Sequence, residues 1–417
     1  MSLTQESIGR RLQDARNNIG LSQELAANEL GVSRVTLAQI ESGTRSITSL
    51  ELVRLAKLYS RTVGSILSEE DESGDEEASL QALFRMDAGV LDDQALRKSL
   101  AHYFTVFREA SALERFIGED RRQLPPDYNL REPRNNAEAY DQGQELANQE
   151  RMRLGLGNGP IADVSQVINE QGVWAVAEPM PESVSGICLS HSSIGAAIII
   201  NSKHSQGRRR FSYAHEYAHV LADRKQRPNS VSSASNSREL MERRANSFAS
   251  EFLLPCKAID ALLERIDKGG PSREQKWLYD VATADGELIE KRNAPGTQDI
   301  GYQDVAYIAF EFGVSYAAAA YRLSDLGKVN RDKLKALLGQ VGDGRKLASL
   351  LKLQDPDAEP QDPSGENQPF LAAYIARLAL EAYRREAISG GRLRESCNLV
   401  GLDGDGLLQV AKERFGD

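Results

Sequence analysis

The chain has 417 residues, about three times a typical domain length, which favours two to four domains. Hydrophobic residues are 41% and charged residues 27%, so several ordinary cores are affordable, and a formal charge of −10 excludes a protein that coats nucleic acid by bulk charge. Three cysteines (Cys188, Cys256 and Cys397) lie far apart with no CxxC pair, which excludes a disulfide framework and a thiolate metal site.

The start, MSLTQESIGR, has neither a basic nor an apolar signal region, and the longest apolar run, Gly195 to Ile200, is too short to span a bilayer. The expectation is a cytoplasmic protein with no membrane partner. Its fold class reads as mainly α with a small β-sheet (α+β).

In chain order, residues 1–68 read as short amphipathic helices broken by Gly20, Gly31 and Gly43. Seven acids in the nine positions from Glu69 to Glu77 make residues 69–79 a self-repelling linker. Residues 80–136 read as a helical spacer, with Leu80, Leu83, Phe84, Leu96, Leu100, Phe104 and Phe107 at helical spacings and Pro125, Pro126 and Pro133 closing it. A core at 137–295 opens on a helix from Ala137 to Gly155. Between Gly172 and Asn201 the runs VWAVA, SGICL and AAIII read as a small sheet, and residues 207–225 and 237–254 return to helix. Residues 296–353 form a helical extension, 354–369 a Pro- and acid-rich linker, and 370–417 a last helical unit.

The segment from Ile8 to Leu58 carries a helix-turn-helix pattern. Ser22 is placed to cap one helix and Ser33 the next, Gly31 stands where a left-handed residue ends the first, and Leu37 and Ile40 point inward. It resembles the XRE (phage repressor and Cro-like) DNA-binding family over about 55 residues. That resemblance places Arg34, Val35 and Gln39 on the groove-facing side of the recognition helix and Gln23, Thr44 and Arg45 on the phosphate backbone. It makes Arg16 and Glu41 a structural ion pair. Arg34 suits guanine, Gln39 adenine and Val35 a thymine methyl. Residues 1–68 hold eight basic and six acidic residues, so phosphate attraction is weak and binding salt-sensitive, as a dimer on a two-fold operator-like site.

His215-Glu216-Tyr217-Ala218-His219 is an HExxH. On a helix, positions i and i+4 share a face, so the two imidazoles can hold one Zn2+, with Glu216 beside them as general base. A catalytic zinc needs a third protein ligand. The next helix offers Glu242, with polar Asn246 one turn on; Glu239 competes with it. His191 and His204 read as surface or sheet-edge residues, with a role in stabilising an oxyanion as the lesser option.

GAAIIIN, RRRFSYAHEYAHVL and ERRANSFASEFLLP, in that order, resemble the ImmA/IrrE family of zinc metallopeptidases over about residues 138–330. The resemblance implies His215, His219 and Glu242 on Zn2+ with Glu216 as base. It also implies that the strand Ala196 to Asn201 pairs with extended substrate. A second helix-turn-helix-like pattern, Asp304 to Gly327, resembles the family's helical extension. Its acids favour packing or recognition of a protein over base stacking by Tyr302, Tyr307, Tyr316 and Tyr321. The function implied is a DNA-binding transcriptional regulator and zinc endopeptidase whose protein substrate is a helix-turn-helix repressor. The alternatives are a regulator whose metallopeptidase-like domain senses without cutting, and a scaffold in which zinc is structural.

Overall fold

The computed structural model describes residues 3–59, 61–67, 94–119, 124–233, 239–270, 273–280, 285–292, 294, 296–351, 353, 355–358 and 368–415. The acidic linker at 69–79, the apolar positions Leu80, Leu83 and Phe84, and most of the 354–369 linker lie outside them.

Five helices open the chain: α1 (Gln5–Asn18), α2 (Gln23–Leu30), α3 (Arg34–Glu41), α4 (Ser49–Leu58) and α5 (Val63–Leu67). Ser22 accepts from Leu25 N and Ser33 from Thr36 N, satisfying N–H groups that the helix starts would leave orphaned. Gly31 takes φ 77° between α2 and α3, a left-handed backbone without a Cβ penalty. Leu12, Ala26, Leu37 and Leu55 bury beneath them.

A long helix, α6 (Gln94–Ile117), precedes α7 (Asn136–Arg153) and α8 (Val164–Glu170). Four strands follow, β1 (Val173–Glu178), β2 (Val184–His191), β3 (Gly195–Asn201) and, after α9 (Gln206–Ala222), β4 (Asn229–Ser233). Their order is β1-β3-β2-β4, with β3 parallel to β1 and antiparallel to β2, and β2 antiparallel to β4. Alternation along β3 sends Ala196, Ile198 and Ile200 towards α9, and Ala197 and Ile199 towards the opposite face. That face is covered by α6 and by α16 (Gln368–Arg384), with Phe107 stacked on Trp174 at 5.1 Å. Both faces being buried is why AAIII reads as an unbroken apolar run.

Helix α10 (Leu240–Leu253) lies against α7 and α9 and leads to α11 (Cys256–Arg265). A hairpin of β5 (Arg273–Asp280) and β6 (Asp285–Arg292) stands apart from the four-stranded sheet. Helices α12 (Tyr302–Phe312), α13 (Tyr316–Asp325), α14 (Arg331–Leu338) and α15 (Val341–Leu350) join the core of α9–α11. Buried Arg322 pairs with Glu251 and donates to Leu254 O at 2.9 Å, so the helix-turn-helix-like pair α12–α13 is a packing element here. Tyr316 is buried, while Tyr307 and Tyr321 stay exposed.

After α16 come α17 (Gly390–Leu399) and α18 (Gly404–Phe415). Glu395 of α17 accepts from the N–H of Val63, and Arg392 pairs with Glu109 of α6 at 3.1 Å, so the last unit bridges α5 and α6. No described helix is long and apolar enough to cross a membrane.

Candidate metal centre

Helix α9 puts His215 and His219 on one face, and α10, crossing it, brings Glu242 opposite. His215 Nε2 lies 3.1 Å from Glu242 Oε2, and His219 Nε2 lies 3.5 Å from Glu242 Oε1. All three side chains are buried, and their donor atoms fall within 4.8 Å of one another. The two short edges sit near the ~3.4 Å separation that tetrahedral ligands at about 2.0–2.2 Å from a zinc would have.

The outer nitrogens are spoken for. His215 Nδ1 is 3.0 Å from Asn246 Oδ1, and His219 Nδ1 is 2.7 Å from Asp223 Oδ2. Acceptors on Nδ1 hold the proton there and turn both Nε2 lone pairs towards the shared space. Among the described residues His219 Nε2 meets nothing closer than Glu242 Oε1, at the long distance of 3.5 Å. Burial alone would lower the pKa of His219; hydrogen bonds to Asp223 and Glu242, with Glu216 nearby, overcome it and raise it to about 10. Burial likewise pushes Glu242 up, but the two imidazoles hold it well below the usual carboxylate range. The pocket therefore favours positive charge in a dry place, which together with an imidazole–imidazole–carboxylate donor set suits Zn2+.

Glu216 is fully buried, and among the described residues neither carboxylate oxygen has a hydrogen-bond partner. Burial raises its pKa. Its carboxylate lies under β2 at Gly186, where an added Cβ would stand 2.6 Å from Oε1. Only glycine leaves that space. On the motif's variable position, Tyr217 donates to Glu150 Oε1 at 2.6 Å and ties α9 to α7. The cleft over the centre, about 300 Å³, has serines on its walls, including Ser185, Ser212 and Ser232. Ser232 Oγ is 3.2 Å from His215 Nε2.

Several expectations change. The strand Ala196 to Asn201 is not available to substrate, because β1 and β2 occupy both its edges. Among the described residues β4 is an open edge of the sheet, and it carries Ser232 beside His215. Glu239 is the N-cap residue of α10 and pairs with Arg227 at 3.0 Å, outside the donor set. His204 is buried rather than at the surface, 3.3 Å from Asn201 Nδ2, while His191 packs its ring on Phe104. Asp223 and Gly186 were not singled out in the sequence. Asp223 had a signal, since it follows His219 by one helical turn.

In the N-terminal domain Arg34, Val35 and Gln39 are exposed along α3, Val35 by 66%, and Thr44 is exposed beyond its end. Arg16 pairs with Glu41 at 2.6 Å in the interior. Gln23 donates to that same Glu41 at 2.9 Å, and half-buried Arg45 pairs with Glu51 at 3.0 Å. Both have partners within the chain, whereas the three α3 side chains project outward.

Folds and site together define a class: a helix-turn-helix domain of DNA-binding type joined to a metallopeptidase-like domain. The family model described as IrrE N-terminal-like domain matches residues 168–272, and the helix-turn-helix model matches residues 12–64, so the chain fuses an XRE-type domain to an ImmA/IrrE-like one. No curated protein matches the chain. Among solved structures, the crystal structure of ComR from Streptococcus suis is similar at 11% identity over 99% of this chain and 97% of its own. With a TM-score of 0.15, that likeness carries no argument about the site.

Proposed function

We propose that this protein is a zinc endopeptidase and transcriptional regulator, in which His215, His219 and Glu242 hold Zn2+ and Glu216 is the general base. The observation that carries the reading is the convergence of three buried donors beside a buried carboxylate that has no hydrogen-bond partner among the described residues. A purely structural zinc needs no such base. When bound, zinc supplies Lewis acidity, which polarises a peptide carbonyl and makes a nearby water easier to deprotonate.

The chain's own groups do the rest. Asn246 and Asp223 orient the imidazoles. Glu216, its pKa raised by burial, takes a proton from the attacking water and later gives it to the leaving amine nitrogen as the C–N bond breaks. Gly186, having no side chain, leaves the space that this carboxylate occupies. Extended substrate adds to the open edge of β4, running past Ser232.

The N-terminal domain binds an operator-like DNA site, as a dimer, through Arg34, Val35 and Gln39 in the major groove and Thr44 at the phosphates. Because Gln23 and Arg45 already have partners, their phosphate contacts are the weaker ones. The protein substrate is a repressor of helix-turn-helix type, whose cleavage changes transcription.

Purified full-length protein tests the centre directly. One zinc should bind per chain of wild type and of Glu216→Gln, and none to His219→Ala. Equal zinc content in all three would remove the proposed centre.

A further inference from the structure

Beside the metal cleft lies a larger cavity, about 1020 Å³, bounded by α7, α9, α10, α13 and α15. Phe211, Leu253, Leu254, Val314, Ala318 and Val341 make its walls largely apolar. It is continuous with the cleft, because Arg208, Phe211 and Asn246 line both. Phe211 stands one helical turn before His215, their rings 6.5 Å apart, and Asn246 is the residue that orients His215. A chain whose scissile carbonyl reached the metal would therefore pass the mouth of this cavity within a residue or two.

We infer that the cavity, joined to the metal cleft through Arg208, Phe211 and Asn246, seats an apolar run of the protein substrate flanked by an acidic residue. This rests on the peptidase reading and names the class of sequence that the site accepts.

Three features favour a polypeptide. The volume is more than three times that of the cleft, too large for one side chain and suited to several. The cations sit at the mouth rather than deep inside: Arg243, next to Glu242, is exposed and makes no ion pair among the described residues, and Arg208 is half exposed against an exposed Glu182. A small ligand fixed in a pocket is usually oriented by a few polar groups inside it, whereas charges at the rim meet a chain that continues outward. The acids on the wall are less available, since Asp357 accepts from Tyr316 N at 2.9 Å and the carboxyl of Asp325 is pushed up by burial. An incoming carboxylate thus meets Arg243, a cation with no ion pair among the described residues, at the rim of the cavity.

The test uses full-length, zinc-loaded Glu216→Gln protein and displayed random peptides. Enriched peptides should carry two or more bulky apolar residues beside an Asp or Glu. A fluorescently labelled winner should bind at least tenfold more weakly to Glu216→Gln carrying Ala317→Trp, which fills the cavity from α13. With Arg243→Glu it should weaken several-fold, and exchanging the peptide's acid for Lys should restore it, with zinc content unchanged throughout. Enrichment without apolar residues, affinity indifferent to both substitutions, or no enrichment over the Ala317→Trp protein would each overturn the inference. Saturable binding of a small apolar anion such as anilinonaphthalene sulfonate in place of peptide would overturn it in favour of an effector pocket. The peptidase reading is judged separately: it fails if wild type binds the selected peptide and leaves it uncut.

Discussion

Gly186→Ala gives a sharp test of how the general base is held. The new Cβ would lie 2.6 Å from Glu216 Oε1 and 2.9 Å from its Cγ, where ordinary contacts begin at 3.4 Å. The carboxylate must retreat by the better part of an ångström, or β2 must lift. Overpacking of this kind costs about 1–3 kcal/mol. Misplacing a reacting group by about 1 Å costs on the order of a hundredfold in rate. No metal ligand is among the atoms the new methyl would meet most closely, so zinc affinity should fall by far less than the roughly 10–100-fold that loss of a ligand's hydrogen-bond partner costs. The assay pairs a zinc competition titration with turnover of a peptide selected on Glu216→Gln protein. Turnover should fall by one to two orders of magnitude with zinc retained. Wild-type turnover in Gly186→Ala would refute the claim that the space at Gly186 sets the position of the base.

Other substitutions probe neighbouring claims. Asn246→Ala removes the acceptor that orients His215, and zinc affinity should drop by about 10–100-fold in a competition titration. Tyr217→Phe takes a donor from the fully buried Glu150, so the urea midpoint should fall by an amount worth about 1–3 kcal/mol; an unchanged midpoint would mean that the bond holds nothing. Arg34→Ala should weaken binding to a selected operator by about 1–3 kcal/mol and relax base preference at one position, read by mobility shift against a panel of operator variants. Arg45→Ala should have the smaller effect, because Glu51 already neutralises that guanidinium.

The parts legible in the sequence were those set by local spacing. His215, Glu216 and His219 are fixed relative to one another by a single helix, and Ser22, Gly31 and Ser33 mark their turn by capping chemistry that acts over three or four residues. The small sheet was visible as far as β3 because its strands are buried and apolar. Strand β4 was not, since NSVSS has one apolar residue: an edge strand that lines a polar cleft loses the alternation that betrays a strand. The same logic explains the error over β3. An unbroken apolar run marks an interior strand, and an interior strand has no free edge to offer a substrate. Gly186 has no local signal, because what requires it is the Glu216 carboxylate thirty residues on. The large cavity is likewise the product of α13 and α15 closing over α9 and α10, and no short window of sequence contains it.

On the proposed function, the buried Glu216 serves a reaction on another protein. Comparing the protein termini of cells expressing wild type with those of cells expressing Glu216→Gln addresses it most directly. At least one new terminus in a helix-turn-helix repressor should appear with wild type and be missing with the variant. Identical sets of termini, with the wild type shown to be zinc-loaded in those cells, would contradict it.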